Sequence, residues 1–335
     1  MISLSAPEFW WRKAGTAAAL LYPAGAVYGA IASHRMSRPG YRAKIPVLCI
    51  GNPTLGGAGK TPAAIAIGER LKREGRNVFF LTRGYGGSDA GPLLADPAQH
   101  DARAIGDEAP LLANVAPTIV ARDRVAGAKL AEASGAEVII MDDGFQNPSL
   151  AKDFSLLVVD GERGVGNGLV FPAGPLRAPL EPQLGRAQAM IVIGAGDAGE
   201  KAARLAGEQG LAVFRAKLEA ESASAAALKG KRVLAFAGIG APEKFFRSLG
   251  AAGVEVAATR SFGDHHYYTE AESAEMLAAA KAGALELVTT EKDLARMHGD
   301  ERLAQLRALS KTLRVRLGIG NEDVLLASIR GSLKF

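Results

Sequence analysis

From Ile45 to Ala216 short apolar runs alternate with longer stretches of mixed polarity. The runs Ile45–Ile50, Val78–Thr82, Thr118–Ala121, Val138–Met141, Leu156–Asp160, Met190–Ile193 and Val213–Ala216 are four to six residues long. Strands buried on both faces read this way, and their alternation with helices predicts a parallel sheet covered on both sides. The first helix is expected from about Thr61 to Gly75, and another apolar helical run covers Ala109–Val115. The Ala/Ser-rich piece Glu219–Leu228 reads as a connection, after which the alternation restarts at Arg232–Ala237, Val254–Ala258, Glu286–Thr289 and Leu313–Leu317. The expected organisation is an α/β unit over residues 44–218, a linker at 219–230 and a smaller C-terminal α/β unit over 231–335.

Residues 1–43 depart from this pattern. Trp10-Trp11-Arg12-Lys13 precedes a nearly uncharged, Ala- and Gly-rich stretch from Ala14 to Ser33, and His34-Arg35-Met36-Ser37-Arg38 comes after it. Twenty helical residues could span a bilayer. Pro23 interrupts the stretch, however, and Tyr22 and Tyr28 lie midway along it. Cations flank both ends, so the positive-inside rule gives no orientation. Aromatic residues beside Lys and Arg favour a membrane-associated segment embedded in one leaflet, with a buried core helix as the competing reading. A cleaved signal peptide is disfavoured by the cytosolic character of the chain from Ile45 onward.

Composition narrows the classes. A chain of 335 residues, 48% hydrophobic and 22% charged, is globular and long enough for two domains. The single cysteine, Cys49, cannot form an internal disulfide and cannot build a Cys-based metal site. The formal charge of +5 suggests an acidic partner, with nucleotide, anionic lipid surface and nucleic acid all compatible. None of the five histidines has zinc-ligand spacing, so a metal here should be a hard ion held by oxygen and phosphate.

Thr54-Leu55-Gly56-Gly57-Ala58-Gly59-Lys60-Thr61 ends a predicted strand and opens a predicted helix. Small residues let backbone N–H groups approach a triphosphate, and a helix N-terminus favours its charge. In such a P-loop Lys60 reaches the β- and γ-phosphates of ATP and the Thr61 hydroxyl ligates Mg²⁺. The fold class becomes a P-loop NTPase-type, mostly parallel sheet with helices on both faces. One departure is visible: Thr54 stands where the usual motif begins with glycine.

Val138–Met141 ends in Asp142-Asp143, where a Walker-B-type carboxylate would handle the metal, a turn Asp being the alternative. Asp107, in Gly106-Asp107-Glu108, is a candidate base, or an N-cap with Glu108 in the first turn. Arg83 and Arg122 come directly after strands and so point to the same sheet edge as candidate anion contacts. Asp264-His265 could orient or tune a base from the second unit. Thr289-Thr290-Glu291-Lys292-Asp293 lacks the spacing of a guanine-reading motif.

These blocks together resemble the tetraacyldisaccharide 4′-kinase (LpxK) family. The likeness runs through Gly51–Pro62, Thr82-Arg83-Gly84-Tyr85-Gly86, Gly106-Asp107-Glu108, Asp142–Gln146, Phe171–Arg177, Phe262–His265 and Thr289–Asp293, in family order over essentially the whole chain. The resemblance implies a kinase of lipid A biosynthesis that moves the γ-phosphate of ATP to the 4′-hydroxyl of a tetraacyldisaccharide 1-phosphate. It further implies anchoring by an N-terminal helix at the cytoplasmic face of the bacterial inner membrane, and no nucleic-acid partner. It puts Asp107 in the role of catalytic base, with His265 sharpening it and Asp264 beside it. It puts Asp142 and Asp143 at the metal, and Arg122 and Arg177 among active-site arginines. Ala178 stands where the family is expected to carry Glu, and Gly263 where it is expected to carry Pro. Two other readings compete: a soluble P-loop small-molecule kinase, and a P-loop switch or metallochaperone.

Overall fold

The computed structural model describes residues 6–334; residues 1–5 of the N-terminal segment and Phe335 lie outside them. The strands in chain order are β1 (Val47–Gly51), β2 (Val78–Thr82), β3 (Leu93–Leu94), β4 (Thr118–Val120), β5 (Val138–Asp142), β6 (Phe154–Asp160), β7 (Ala189–Ile193), β8 (Ala212–Ala220), β9 (Arg232–Ala237), β10 (Glu255–Ser261), β11 (Glu286–Thr289), β12 (Ser310–Thr312) and β13 (Val315–Ile319). They form a nine-stranded sheet in the order β13-β8-β7-β6-β1-β5-β2-β4-β3 and a four-stranded sheet in the order β10-β9-β11-β12. The larger sheet is parallel except at its edges, where β3 and β13 run antiparallel to their neighbours. The smaller sheet is parallel throughout.

The apolar runs become central strands because both their faces are covered. Along β1, Val47 and Cys49 point into one layer with Ile139, Met141 and Leu157. Leu48 and Ile50 point into the other with Phe80, Ile140 and Leu156. Each fully buried side chain of this kind contributes roughly 1.5–3 kcal/mol. Helix α2 (Lys60–Arg73) covers the second face through Ala63, Ala64, Ile67 and Leu71.

Three sequence expectations change. Leu313–Leu317 is expected in the smaller unit, but β13 pairs with β8, Val315 opposite Ala220 and Ile319 opposite Ala216. The final helix, Glu322–Leu333, then lays Leu325, Ile329 and Leu333 into the core beneath α2. Hydrophobic periodicity identifies a strand but not the sheet whose open edge it joins. The expected linker 219–230 is also ordered structure: β8 runs to Ala220, and Ser222–Leu228 is helical with Leu228 buried. The smaller unit is therefore inserted between β8 and β13. Its two crossings lie side by side, since Glu221 N donates to Arg314 O at 2.8 Å and Arg314 N to Ser224 Oγ at 3.1 Å.

The third change concerns Pro23, which lies inside a continuous 21-residue helix, α1 (Thr16–Met36). Proline forgoes one backbone donor there, and the rest of the ladder carries the helix through. Ala18, Gly25, Gly29 and Met36 form its buried stripe. Small residues are required: a Cβ at Gly25 would sit 2.8 Å from Val170 O, and one at Gly29 3.3 Å from Pro179 Cγ. Trp10 fastens the same region by donating from Nε1 to Pro172 O at 3.0 Å. The opposite side presents Leu20 (82% exposed), Val27 (63%) and Ile31 (56%).

Candidate functional site

The glycine-rich turn leaves β1 at the C-terminal edge of the larger sheet and returns as α2. Gly56 (φ +100°) and Gly59 (φ +89°) take the left-handed conformations the turn needs. Thr54 keeps a negative φ, so a β-branched residue is tolerated in the position usually held by glycine. It pairs instead with Leu176 in an isolated bridge, supported by Leu55 N to Pro175 O and Arg177 N to Pro53 O. Asn52 braces the turn from inside, its Nδ2 donating to Thr54 O and Gly56 O. Ala58 is buried beneath the loop, whereas a Cβ at Gly56 or Gly57 would meet nothing within 4 Å. The outer surface of the loop is thus an open cradle of backbone groups.

Around this cradle Lys60 Nζ lies 3.6 Å from Asp143 Oδ2, and Thr61 Oγ1 donates to Asp142 Oδ2 at 3.1 Å. Asp142 is fully buried and its Oδ1 has no partner. Burial, then the nearby charge of Glu108, push its carboxyl up to about 7 against the pull of Lys60. Asp143 moves the other way: burial opposes ionisation, but Lys60 and Arg177 outweigh it and lower the carboxyl. Arg177 meets Asp143 with both terminal nitrogens at 3.2 Å and donates from Nε to Thr54 O at 3.0 Å. It therefore ties Asp143 to the loop. Ala178 beside it is buried in the core.

Asp107 belongs to the same cleft but is held from the other unit. Its Oδ2 accepts from Arg296 at 2.7 Å and lies 3.0 Å from His265 Nδ1, while Oδ1 is buried without a partner. Burial resists the charge, yet the His265 hydrogen bond and the cations Lys292, His265 and Arg296 bring the carboxyl down to about 2. His265 moves up correspondingly: burial disfavours its cation, and Asp107 and then Asp264 more than restore it. His265 adopts a left-handed backbone (φ +57°), with its N–H on Gly238 O and on Asp264 Oδ1. Asp264 itself is exposed, 3.9 Å from His265 Nε2. Neither Asp107 nor Glu108 caps the adjoining helix Ala109–Ala113 with its side chain.

Arg122 braces the loop that packs against Ala104 and Gly106. Its guanidinium is exposed and donates to the carbonyls of Gly87 and Ser88, bracing the loop after β2. Strand β4 lies beyond β2, away from β1, so the end of that strand is displaced from the phosphate cradle. Arg83 is likewise exposed.

Sequence reasoning missed Arg296 and gave Lys292 no role. Both lie on the short helix Glu291–Arg296, capped by Thr290. Lys292 pairs with Glu108 at 2.7 Å, and Arg296 joins Asp107, Asp293 and Gly238 O. Asp293 also accepts from Tyr268 and from Gly238 N. The i, i+3 spacing of Asp293 and Arg296 hinted at a local pair. Nothing in it pointed to a carboxylate 189 positions earlier.

Comparison with known proteins gives a consistent answer. Residues 17–334 match the family model described as tetraacyldisaccharide-1-P 4′-kinase, LpxK. Among curated relatives, the tetraacyldisaccharide 4′-kinase of Xanthobacter autotrophicus is 57% identical over 297 residues, 88% of this chain and 87% of that protein. The one from Nitrobacter winogradskyi is 50% identical over 319 residues, 95% of each. A crystal structure of LpxK from Aquifex aeolicus in complex with ATP superposes with a TM-score of 0.72 at 25% identity, over 95% of this chain and 100% of that one. Phosphate cradle, paired carboxylates and full-length likeness agree, and the chain belongs to the tetraacyldisaccharide-1-P 4′-kinase (LpxK) family.

Proposed function

We propose that the cleft between the two sheets transfers the γ-phosphoryl group of ATP to the 4′-hydroxyl of a tetraacyldisaccharide 1-phosphate, with Asp107 accepting the hydroxyl proton. The observation that carries this role is the split behaviour of its carboxylate: Oδ2 is fixed by Arg296 and His265, and buried Oδ1 is left without a partner. An incoming hydroxyl satisfies that oxygen. A carboxyl lowered to about 2 is a weak base in the resting state. Phosphoryl transfer through a loose transition state asks for little more, because the attacking oxygen becomes acidic only once it bonds to phosphorus. Orientation comes first, and the proton moves late.

Lys60 and the loop N–H groups would hold the phosphates, Lys60 exchanging its Asp143 contact for phosphate oxygen. The orphaned Oδ1 of buried Asp142, with Thr61 Oγ1 beside it and Asp143 adjacent, fits a hard divalent cation. Bound Mg²⁺ would offset the charge of the β- and γ-phosphates. Among the described residues no three His, Cys, Asp or Glu side chains form a ready metal cage, so phosphate oxygens would complete the coordination. His265 and Arg296 keep Asp107 ionised and aimed, and Arg177 keeps Asp143 against the loop.

An acylated substrate also accounts for α1, whose exposed apolar side supports attachment to the membrane surface. A helix fastened to the body along its small-residue stripe favours embedding in one leaflet, here the cytoplasmic leaflet of the bacterial inner membrane, where ATP is available. Transfer of label from γ-labelled ATP to the disaccharide lipid in detergent tests the reaction, and absence of labelled lipid defeats it. Unchanged turnover of Asp107→Ala would remove Asp107 from its role.

A further inference from the structure

A cavity of about 190 Å³ opens at the C-terminal end of α1, between Met36, Phe145 and Leu150 and the cations Arg38, Lys152 and Arg186. No carboxylate lines it. None of the three cations forms an ion pair among the described residues. Lys152 donates to Asn147 O and Arg186 to Pro182 O, while the Arg38 guanidinium has no partner among the described residues. Elsewhere on this surface arginines are commonly matched, as Arg42 is with Asp153 and Arg215 with Glu200. Three unmatched cations around one concavity hold uncompensated charge, and an anion is what would neutralise it. Burial lowers the Lys152 ammonium, with the charge of Arg124 adding to the effect.

The cavity is separate from the phosphate cradle. Met36, Phe145 and Leu150 belong to the core layer opposite the one that α2 covers. Its place relative to α1 gives its occupant. The exposed apolar residues of α1 end at Ile31, exposed His34 and Arg35 come next, and the cavity begins at Met36. With the apolar side of α1 in the acyl region, the cavity lies at headgroup depth.

We propose that this cavity binds the phosphate of an anionic glycerophospholipid headgroup, fixing how the enzyme sits on the bilayer. The proposal rests on the membrane attachment argued above. It differs from general attraction to a negative surface in that the lining cations act together on one phosphate.

Flotation with phosphatidylcholine vesicles, with and without phosphatidylglycerol, tests it on the full chain. The double variant R38Q/R186Q should lose the phosphatidylglycerol-dependent gain in partitioning, about fivefold for each cation. Arg35→Gln, on the same stretch but outside the cavity, should lose much less. A loss at Arg35 equal to that at Arg38 would reduce the effect to general charge and overturn the proposal. In parallel, acylation of Lys152 read by mass spectrometry should be suppressed by short-chain phosphatidylglycerol and not by inorganic phosphate. Equal suppression by inorganic phosphate, or none by either, overturns it as well. If the protein floats with neither vesicle, the attachment reading fails, and protection of Lys152 by soluble lipid still decides the cavity.

Discussion

Asp107→Asn separates the two jobs assigned to one carboxylate, because the amide keeps the shape and removes the charge. The catalytic consequence is loss of the proton acceptor, worth about 10²–10⁴ in kcat, with the KM for ATP little changed. The structural consequence comes from the same ion. The carboxyl falls from its ordinary 3.8 to about 2 in the folded protein, and its side chain is only 1% exposed. Folding therefore favours the ionised form by about 2 kcal/mol at neutral pH. That contribution is fully present above the unfolded value and vanishes as the pH falls through the folded one. Unfolding free energies of wild type and variant from urea titrations, tracked by circular dichroism, should differ by this amount from pH 7 down to about 4 and converge toward pH 2. A constant gap across that range would show that His265 and Arg296 do not stabilise the charge. Turnover within tenfold of wild type would end the case for Asp107 as acceptor.

Neighbouring contacts give further expected outcomes. Asp142 is raised to about 7, so divalent-ion affinity measured by calorimetry should weaken as the pH drops through neutrality. Asp142→Asn should abolish both most of the affinity and its pH dependence, and a flat wild-type profile would contradict the assignment. Lys292→Met leaves Glu108 without its 2.7 Å partner and, the pair being partly exposed, should cost roughly 1–3 kcal/mol in urea stability. Adding Glu108→Gln should recover much of that loss, and no recovery would place the cost elsewhere. Gly25→Leu drives a side chain into Val170 O, 2.8 Å from the Cβ position. Rapid proteolysis near α1 with ATP binding retained is the expected result.

What could be read from the chain alone was local. Val78–Thr82, Arg232–Ala237 and Glu286–Thr289 coincide with β2, β9 and β11, because continuous burial leaves its mark in consecutive residues. The glycine-rich turn between β1 and α2 was equally legible, its glycines and Lys60-Thr61 being contiguous. For Arg122 the position after a strand fixes height along the sheet and not lateral distance from the cradle. Arg296 was invisible for the converse reason: its partner is chosen by the docking of two sheets, and a single sequence carries no sign of that pairing. β13 shows the same limit, since an open sheet edge exists only after the fold is known.

The paired crossings at Glu221 and Arg314 have a mechanical consequence. Two covalent ties joined to each other by the Glu221–Arg314 hydrogen bond act as a door hinge: swinging is cheap, and sliding or twisting is resisted. Were the units to part, such a joint would return His265 and Arg296 to the same carboxylate. A bulky sugar could then enter without His265 and Arg296 having to search for Asp107 again.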